Sequence, residues 1–188
     1  MSGKILIMGT GGCGSGFIWH MLKRCGLETT EHREWIRSGG ITTAVDPASF
    51  PAPKVIKHNG GFLHSLNKHI ETFQWKVEHI FFAIATFDLA MHIQKERMLQ
   101  RHATFDYDIE LERYYSKLGR GVAQLAESDY PFTLVLCPRS ILDVEYCYQK
   151  LHVVLPNVTY EEFVEKHSEW VKPERKSFLS AYNRKGAS

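Results

Sequence analysis

The chain has 188 residues, 23 basic and 21 acidic side chains and a net charge of +2. That length suffices for one domain with a full core, and the charge is too small to mark nucleic acid as a bulk partner. No run of about 20 apolar residues occurs and the N-terminus lacks a basic-then-apolar leader, which argues against a membrane span and for a soluble, cytoplasmic protein. Cys13, Cys25, Cys137 and Cys147 show no paired metal-ligand spacing and fall in or beside apolar segments, so they read as reduced thiols and no metal is assigned.

Ile5 to Met8 is a charge-free run, the pattern of a strand covered on both faces of a parallel sheet. Five glycines follow within the eight residues from Gly9 to Gly16; Phe17, Ile18, Met21, Leu22 and Cys25 then recur at helical spacing, with Gly26 as the stop. Residues 28–53, broken by Gly39, Gly40, Pro47, Pro51 and Pro53, read as loops with a short helix around Trp35. Lys54–His58 reads as the second strand and 61–73 as a helix. His79–Thr86 is the third strand and the most apolar. A helix from Phe87 to about Arg101 and a further helix or pair over 109–128 follow. Residues 131–140, ending in Pro138 and Arg139, contain the fourth strand; 141–151 is helical, and 159–171 is a last helix before a basic tail. No internal repeat or low-complexity tract is present.

Strands separated by helices predict an α/β fold, a single domain over 1–188 with a central parallel sheet of four or five strands and ligands at the strands' carboxyl ends. Those ends carry the segment from Gly9 to Ser15, then Lys57 and His58, then Thr86, then Arg139. Glycines between a strand and a helix let backbone amides turn inward, and the helix N-terminus adds positive potential, so the loop suits phosphate or sulfate. In nucleotide triphosphatases such a loop reads glycine, four residues, then Gly-Lys-Ser/Thr, the lysine reaching the phosphates and the hydroxyl holding magnesium. Here Ser15 stands at the lysine position and Gly16 at the hydroxyl position. The loop keeps its amides and lacks the groups that handle a transferring phosphoryl group. The plainer alternative is that the glycines only allow a strand and a helix to pack closely.

The segment GTGGCGSGFI, Gly9 to Ile18, resembles the 5′-phosphosulfate loop of sulfotransferases, which lacks the triphosphatase lysine. The run Val55 to His58 is similar to the strand in which cytosolic sulfotransferases carry a lysine and then a histidine base. The stretch from Phe132 to Leu151 looks like a late strand, Pro-Arg, Asp, Tyr and Lys-Leu pattern of small bacterial and phage members. The resemblance implies a three-layer fold of the P-loop nucleoside-triphosphate-hydrolase superfamily. It further implies an enzyme that transfers a sulfuryl group from 3′-phosphoadenosine 5′-phosphosulfate (PAPS), without a metal, to a hydroxyl or amine of a small molecule, glycan or peptide.

On that resemblance Thr10, Gly11, Gly12, Cys13, Gly14, Ser15 and Gly16 hold the 5′-phosphosulfate, Lys57 steadies charge on the bridging oxygen, and His58 takes the acceptor proton. The sequence departs from the family in three places: Gly12 replaces a basic loop residue, and Thr86 and Gln94 replace an arginine and a serine that bind the donor's 3′-phosphate. Lys95, Arg97 or Arg139 are the substitutes at hand, and Arg184 to Gly186 is similar to a C-terminal tripeptide that serves the same phosphate in cytosolic members.

Each residue has a plainer reading. Ser15 could cap the helix, Lys57 could be a solvated strand-end lysine, and His58 is one of 10 histidines; His20 and His64 are the next candidates for a base. Arg139 could pair with Asp143 or Glu145. Asp143, Tyr146 and Lys150 are spaced for one helix face and read as packing or surface pairing. Two rival functions stand beside sulfuryl transfer: a small-molecule or nucleotide kinase, and a nucleotide-binding protein that has lost its chemistry.

Overall fold

The computed structural model of the chain describes residues 3–10, 12–31, 53–57, 70–71, 74–100, 104–172 and 179. Five strands, β1 (Lys4–Gly9), β2 (Thr29–Glu31), β3 (Val55–Lys57), β4 (Val77–Ala85) and β5 (Phe132–Cys137), form one sheet in the order β2-β3-β1-β4-β5. Every pairing is parallel. The described helices are α1 (Ser15–Arg24), α2 (Phe87–Gln100), α3 (Tyr107–Ala126), α4 (Arg139–Leu142), α5 (Val144–Leu151) and α6 (Tyr160–Trp170), with a 3-10 turn at His152–Val154.

The charge-free run of β1 follows from its central place. Ile5 and Ile7 face one apolar layer with Phe17, Met21, Leu89, Val135 and Phe163, while Leu6 and Met8 face a second with Ile80, Phe82 and Leu125. A strand with helices over both faces must be apolar at every position. β5, equally apolar in sequence, is the sheet's edge: Val135 and Cys137 are buried, whereas Phe132, Leu134 and Leu136 are about two-fifths exposed at 42%, 37% and 44%.

Local chemistry sets the helix ends. Beyond α1, Gly26 adopts φ +89°, and the amides of Leu27 and Gly26 donate to the carbonyls of Leu22 (3.1 Å) and Lys23 (3.0 Å), the paired bonds of a glycine-terminated helix. α6 opens with a reciprocal cap, the Glu162 amide donating to the Thr159 hydroxyl at 3.3 Å and the Thr159 amide to the Glu162 carboxylate at 3.1 Å. α6 then packs on α1, with the Phe17 ring 4.9 Å from Trp170 and 5.6 Å from His167. That contact fixes the helix that carries the glycine loop.

Two sequence readings need correction. β2 lies inside a segment read as loop. Of the two alternatives for residues 109–128, the single helix is present, as the continuous α3, which begins at Tyr107 and ends at Ala126. The helix read over 141–151 is two helices, broken at Asp143, whose backbone is extended and whose carboxylate accepts from the Tyr146 amide at 2.9 Å as the cap of α5. Asp143 is therefore no part of one helix face with Tyr146 and Lys150. The short helix expected around Trp35 lies outside the described residues.

His79 on β4 is buried, 2.8 Å from the Thr133 hydroxyl and 4.8 Å from the Phe81 ring. Burial pushes its pKa below the ordinary 6.5, with nearby Glu78 partly opposing. The unfolded chain therefore takes up this proton at a higher pH than the folded one, so stability is level above about 6.5 and falls as pH drops below it. Urea midpoints between pH 5 and 7.5 should show a smaller acid-side loss for His79→Leu than for wild type. The variant should also be about 1 kcal/mol less stable at pH 7.5, because the Thr133 hydroxyl loses its partner.

Candidate functional site

The carboxyl ends of β1, β3, β4 and β5 point to one edge, and the glycine loop crosses it. The Cys13 amide donates to the Thr10 carbonyl at 3.2 Å, closing a turn. Gly12 and Gly14 follow in the left-handed region at φ +78° and +84°. Gly14, not Ser15, is the cap residue of α1: its carbonyl accepts the Phe17 and Ile18 amides at 2.9 and 3.3 Å, and no side chain caps the helix. Ser15 and Gly16 are the first two helical residues, whose amides have no acceptor within the helix by its geometry. They aim outward at the dipole's positive end, the arrangement that binds an anion. Gly11 and His58 lie outside the described residues.

Close packing dictates the glycines. A Cβ on Gly12 would sit 3.1 Å from Ile93 and 3.5 Å from the Ala90 carbonyl of α2; one on Gly14 would meet Cys137 Sγ and Cβ at 2.8 and 2.9 Å. One on Gly9 would meet Cys13 Sγ and the Ala83 carbonyl. The basic loop residue that the family resemblance leads one to expect is thus incompatible with position 12, where backbone conformation and Ile93 both demand glycine. The tight-packing reading of these glycines is borne out, and it is compatible with the anion reading.

Lys57 brings a cation to the loop from another strand. Its ammonium lies 3.8 Å from where a Cβ on Gly16 would stand, and 6.0 Å from the Trp19 ring centroid. A lysine at the end of β3 thus stands at the first turn of α1, where the loop itself carries none. Arg139 is drawn elsewhere. It opens α4, points Nε at the Asp143 carboxylate at 3.4 Å, and lies with its guanidinium carbon 4.3 Å from the Tyr146 ring centroid. The ion pair with Asp143 considered from the sequence is present. Lys95 is exposed on α2, which touches the loop through Ala90 and Ile93; two residues further on, it stands roughly 200° round the helix from Ile93. His20 is exposed and packs beside Trp19 and Trp170, at 4.8 and 5.7 Å between ring centres. His64, Arg184 and Gly186 lie outside the described residues.

Sequence reasoning missed Tyr114. From α3 its phenol donates to the Ala85 carbonyl at 2.7 Å at the end of β4, and burial pushes its pKa up despite the adjacent Thr10 hydroxyl, which favours ionisation. The hydroxyls of Thr10 and Thr86 are buried and make no protein hydrogen bond of good geometry. The sequence signal was faint: a tyrosine pair inside a helix, with nothing local to show that one member turns toward the loop.

Parallel strand order, glycine loop and loop-borne helix together make a three-layer α/β fold with the glycine loop at the sheet's carboxyl edge. No protein-family model matches the chain, and no curated protein matches it. Among solved structures it is similar to an unliganded sugar kinase from Janibacter sp. HTCC2649, at 15% sequence identity and a TM-score of 0.46, covering 85% of this chain and 99% of that one.

The clash at Gly14 gives a direct test of the packing. Gly14→Ala should cost about 2 kcal/mol or more, combining left-handed strain with contact against Cys137. Adding Cys137→Ala, which removes the contacting sulfur, should recover part of that loss in denaturant melts, so that the two changes are not additive.

Proposed function

We propose that this protein is a group transferase that holds an anionic nucleotide on its glycine loop, and that it moves a sulfuryl group from PAPS to an acceptor hydroxyl or amine. One observation carries the reading. Outward-facing amides at Ser15 and Gly16, with Lys57 at the same helix turn, form a cationic anion cradle in which neither residue 15 nor residue 16 is the lysine or the magnesium ligand of a triphosphatase. In this scheme the loop amides hold the donor's 5′-phosphate, and Lys57 neutralises charge on the bridging oxygen as the sulfur–oxygen bond breaks. The acceptor oxygen attacks sulfur while His58 takes its proton. Thr86 and Gln94 bring no cation for a 3′-phosphate, and Arg139, already over Tyr146, would have to leave Asp143 to supply one.

A second reading is phosphoryl transfer to a small molecule. Lys57 favours it, because a cation supplied from β3 can take over the work of the absent loop lysine. A nucleotide-binding protein without catalysis is the third.

Calorimetric titration separates them. Sulfuryl transfer expects adenosine 3′,5′-bisphosphate to bind without magnesium and ATP-magnesium to bind more weakly; the reverse order supports the kinase, and no turnover with tight binding supports the third. Lys57→Ala should weaken the preferred nucleotide by about 1.5–3 kcal/mol, the worth of a charged hydrogen bond. His58→Gln should leave that affinity in place and lower turnover by about 10²–10⁴-fold, the contribution of a positioned base. Equal turnover in the variant would assign the base to another residue.

A further inference from the structure

Two thiols sit beneath the loop, and the proposed transfer uses neither. Cys13 belongs to the loop and is buried against Gly9, where a Cβ on that glycine would collide with its sulfur. Cys137 ends β5 and is buried under Gly14, its sulfur 2.8 Å from the place of a Gly14 Cβ. Residues 13 and 14 are chain neighbours with Cα atoms about 3.8 Å apart, so the Cys137 sulfur lies within side-chain reach of residue 13. Cys137 pairs with Ala85 and Gly9 with Ala83, so Cys137 and the glycine that Cys13 covers flank the carboxyl end of β4.

We propose that Cys13 and Cys137 form a reversible disulfide that tethers the glycine loop to β5 and closes the nucleotide cradle. The oxidant is a hydroperoxide. The Cys13 thiol, which belongs to the loop, gives up its proton as its sulfur attacks the peroxide oxygen; the O–O bond breaks, the sulfur becomes a sulfenic acid, and the displaced oxygen leaves with a proton as water or an alcohol. The Cys137 sulfur then attacks the sulfenic sulfur; the S–S bond forms, the S–O bond breaks, and the hydroxide leaves with the Cys137 proton as water. Two thiols are oxidised and one peroxide is reduced. Cys137 is fixed at the end of β5 while Cys13 belongs to the loop, so Cys13 moves and Cys137 resolves; burial, reinforced by the neighbouring Cys13, also pushes the Cys137 thiol up to about 12.

Joining the sulfurs at about 2.05 Å needs the Cys13 side chain to leave its place under Gly9 and turn toward β5. Its amide is bonded to the Thr10 carbonyl, and its neighbour Gly14 caps α1, so that movement displaces the amides on both sides. Cys25 and Cys147 are also close enough to influence one another, at the opposite end of α1, and provide an internal comparison.

The test treats the full chain with hydrogen peroxide, alkylates remaining thiols and maps peptides by mass spectrometry, alongside titration with adenosine 3′,5′-bisphosphate. The proposal expects a peptide joining Cys13 to Cys137, nucleotide affinity at least 10-fold lower than in the reduced protein, and reversal of both by dithiothreitol. Cys137→Ala should form no such link and keep its affinity through peroxide treatment; Cys137→Ser serves if the alanine variant does not fold. Both thiols still open to alkylation, a link confined to Cys25 and Cys147, or a Cys13–Cys137 link with unchanged affinity would each overturn it. The affinity arm rests on the donor reading above, whereas the peptide map does not. If the reduced protein binds no nucleotide, that reading falls, and hydrogen exchange over residues 9–16 decides the tether: exchange slowed at least 10-fold by oxidation supports it, and unchanged exchange overturns it.

Discussion

The architecture of this protein depends on how closely the loop between β1 and α1 lies against its neighbours. Gly9 faces Cys13 and Ala83 and Gly14 faces Cys137, each with no room for a side-chain carbon, while Gly12 faces Ile93 and Ala90 with only a tight fit for one. The loop is therefore pressed between the ends of β4 and β5 on one side and α2 on another. Left-handed backbone at Gly12 and Gly14 turns the chain sharply enough for α1 to start at Ser15. Were any of these contacts wider, the amides at the start of α1 would not be held in one place, and the order needed to recognise an anion would have to be supplied on binding.

The rest of the molecule maintains that geometry. β1 is central and apolar from Ile5 to Met8, so the loop's origin is anchored from both layers. α6 holds α1 through Phe17, Trp170 and His167, and the Arg24–Glu169 pair at 2.6 Å ties the far end of the same helix. Tyr114 joins α3 to the end of β4 beside Thr10. The charge in the site comes from Lys57 on β3, a strand that pairs with β1 in register, Ile7 opposite Lys57. A cation delivered by the sheet keeps its position without occupying space in a loop that has none to spare.

Much of this was legible in the sequence, and the exceptions have physical causes. β1, the glycine loop and α1 announced themselves because a doubly covered strand, a tight turn and an amphipathic helix each impose a strong local pattern. β2 did not, since three residues, two threonines and a glutamate, carry no burial signal of their own and join the sheet only by pairing with β3. Asp143 was hidden because its neighbours on both sides are helical; only its carboxylate, turned back to the Tyr146 amide, separates the two helices. Within the site, Lys57 was visible as a strand-end residue, but its approach to Gly16 is a tertiary fact. Arg139 shows another case: a Pro-Arg step suggested phosphate recognition, and its contacts with Asp143 one turn on and with the Tyr146 ring are tertiary facts. Gly12 looked like a loss relative to the sulfotransferase pattern, and the contact with Ile93 shows why a larger residue has no place there.

The proposed transfer requires the loop amides themselves to receive the nucleotide's anion. Amide-detected NMR titration of the labelled protein with adenosine 3′,5′-bisphosphate, in the absence of magnesium, addresses it residue by residue. Saturable shifts concentrated at the amides of Gly12, Gly14, Ser15 and Gly16, and lost on Lys57→Ala at the same ligand concentration, are the expected result. Saturable shifts that leave these four amides unmoved while clustering elsewhere on the sheet's edge would contradict it.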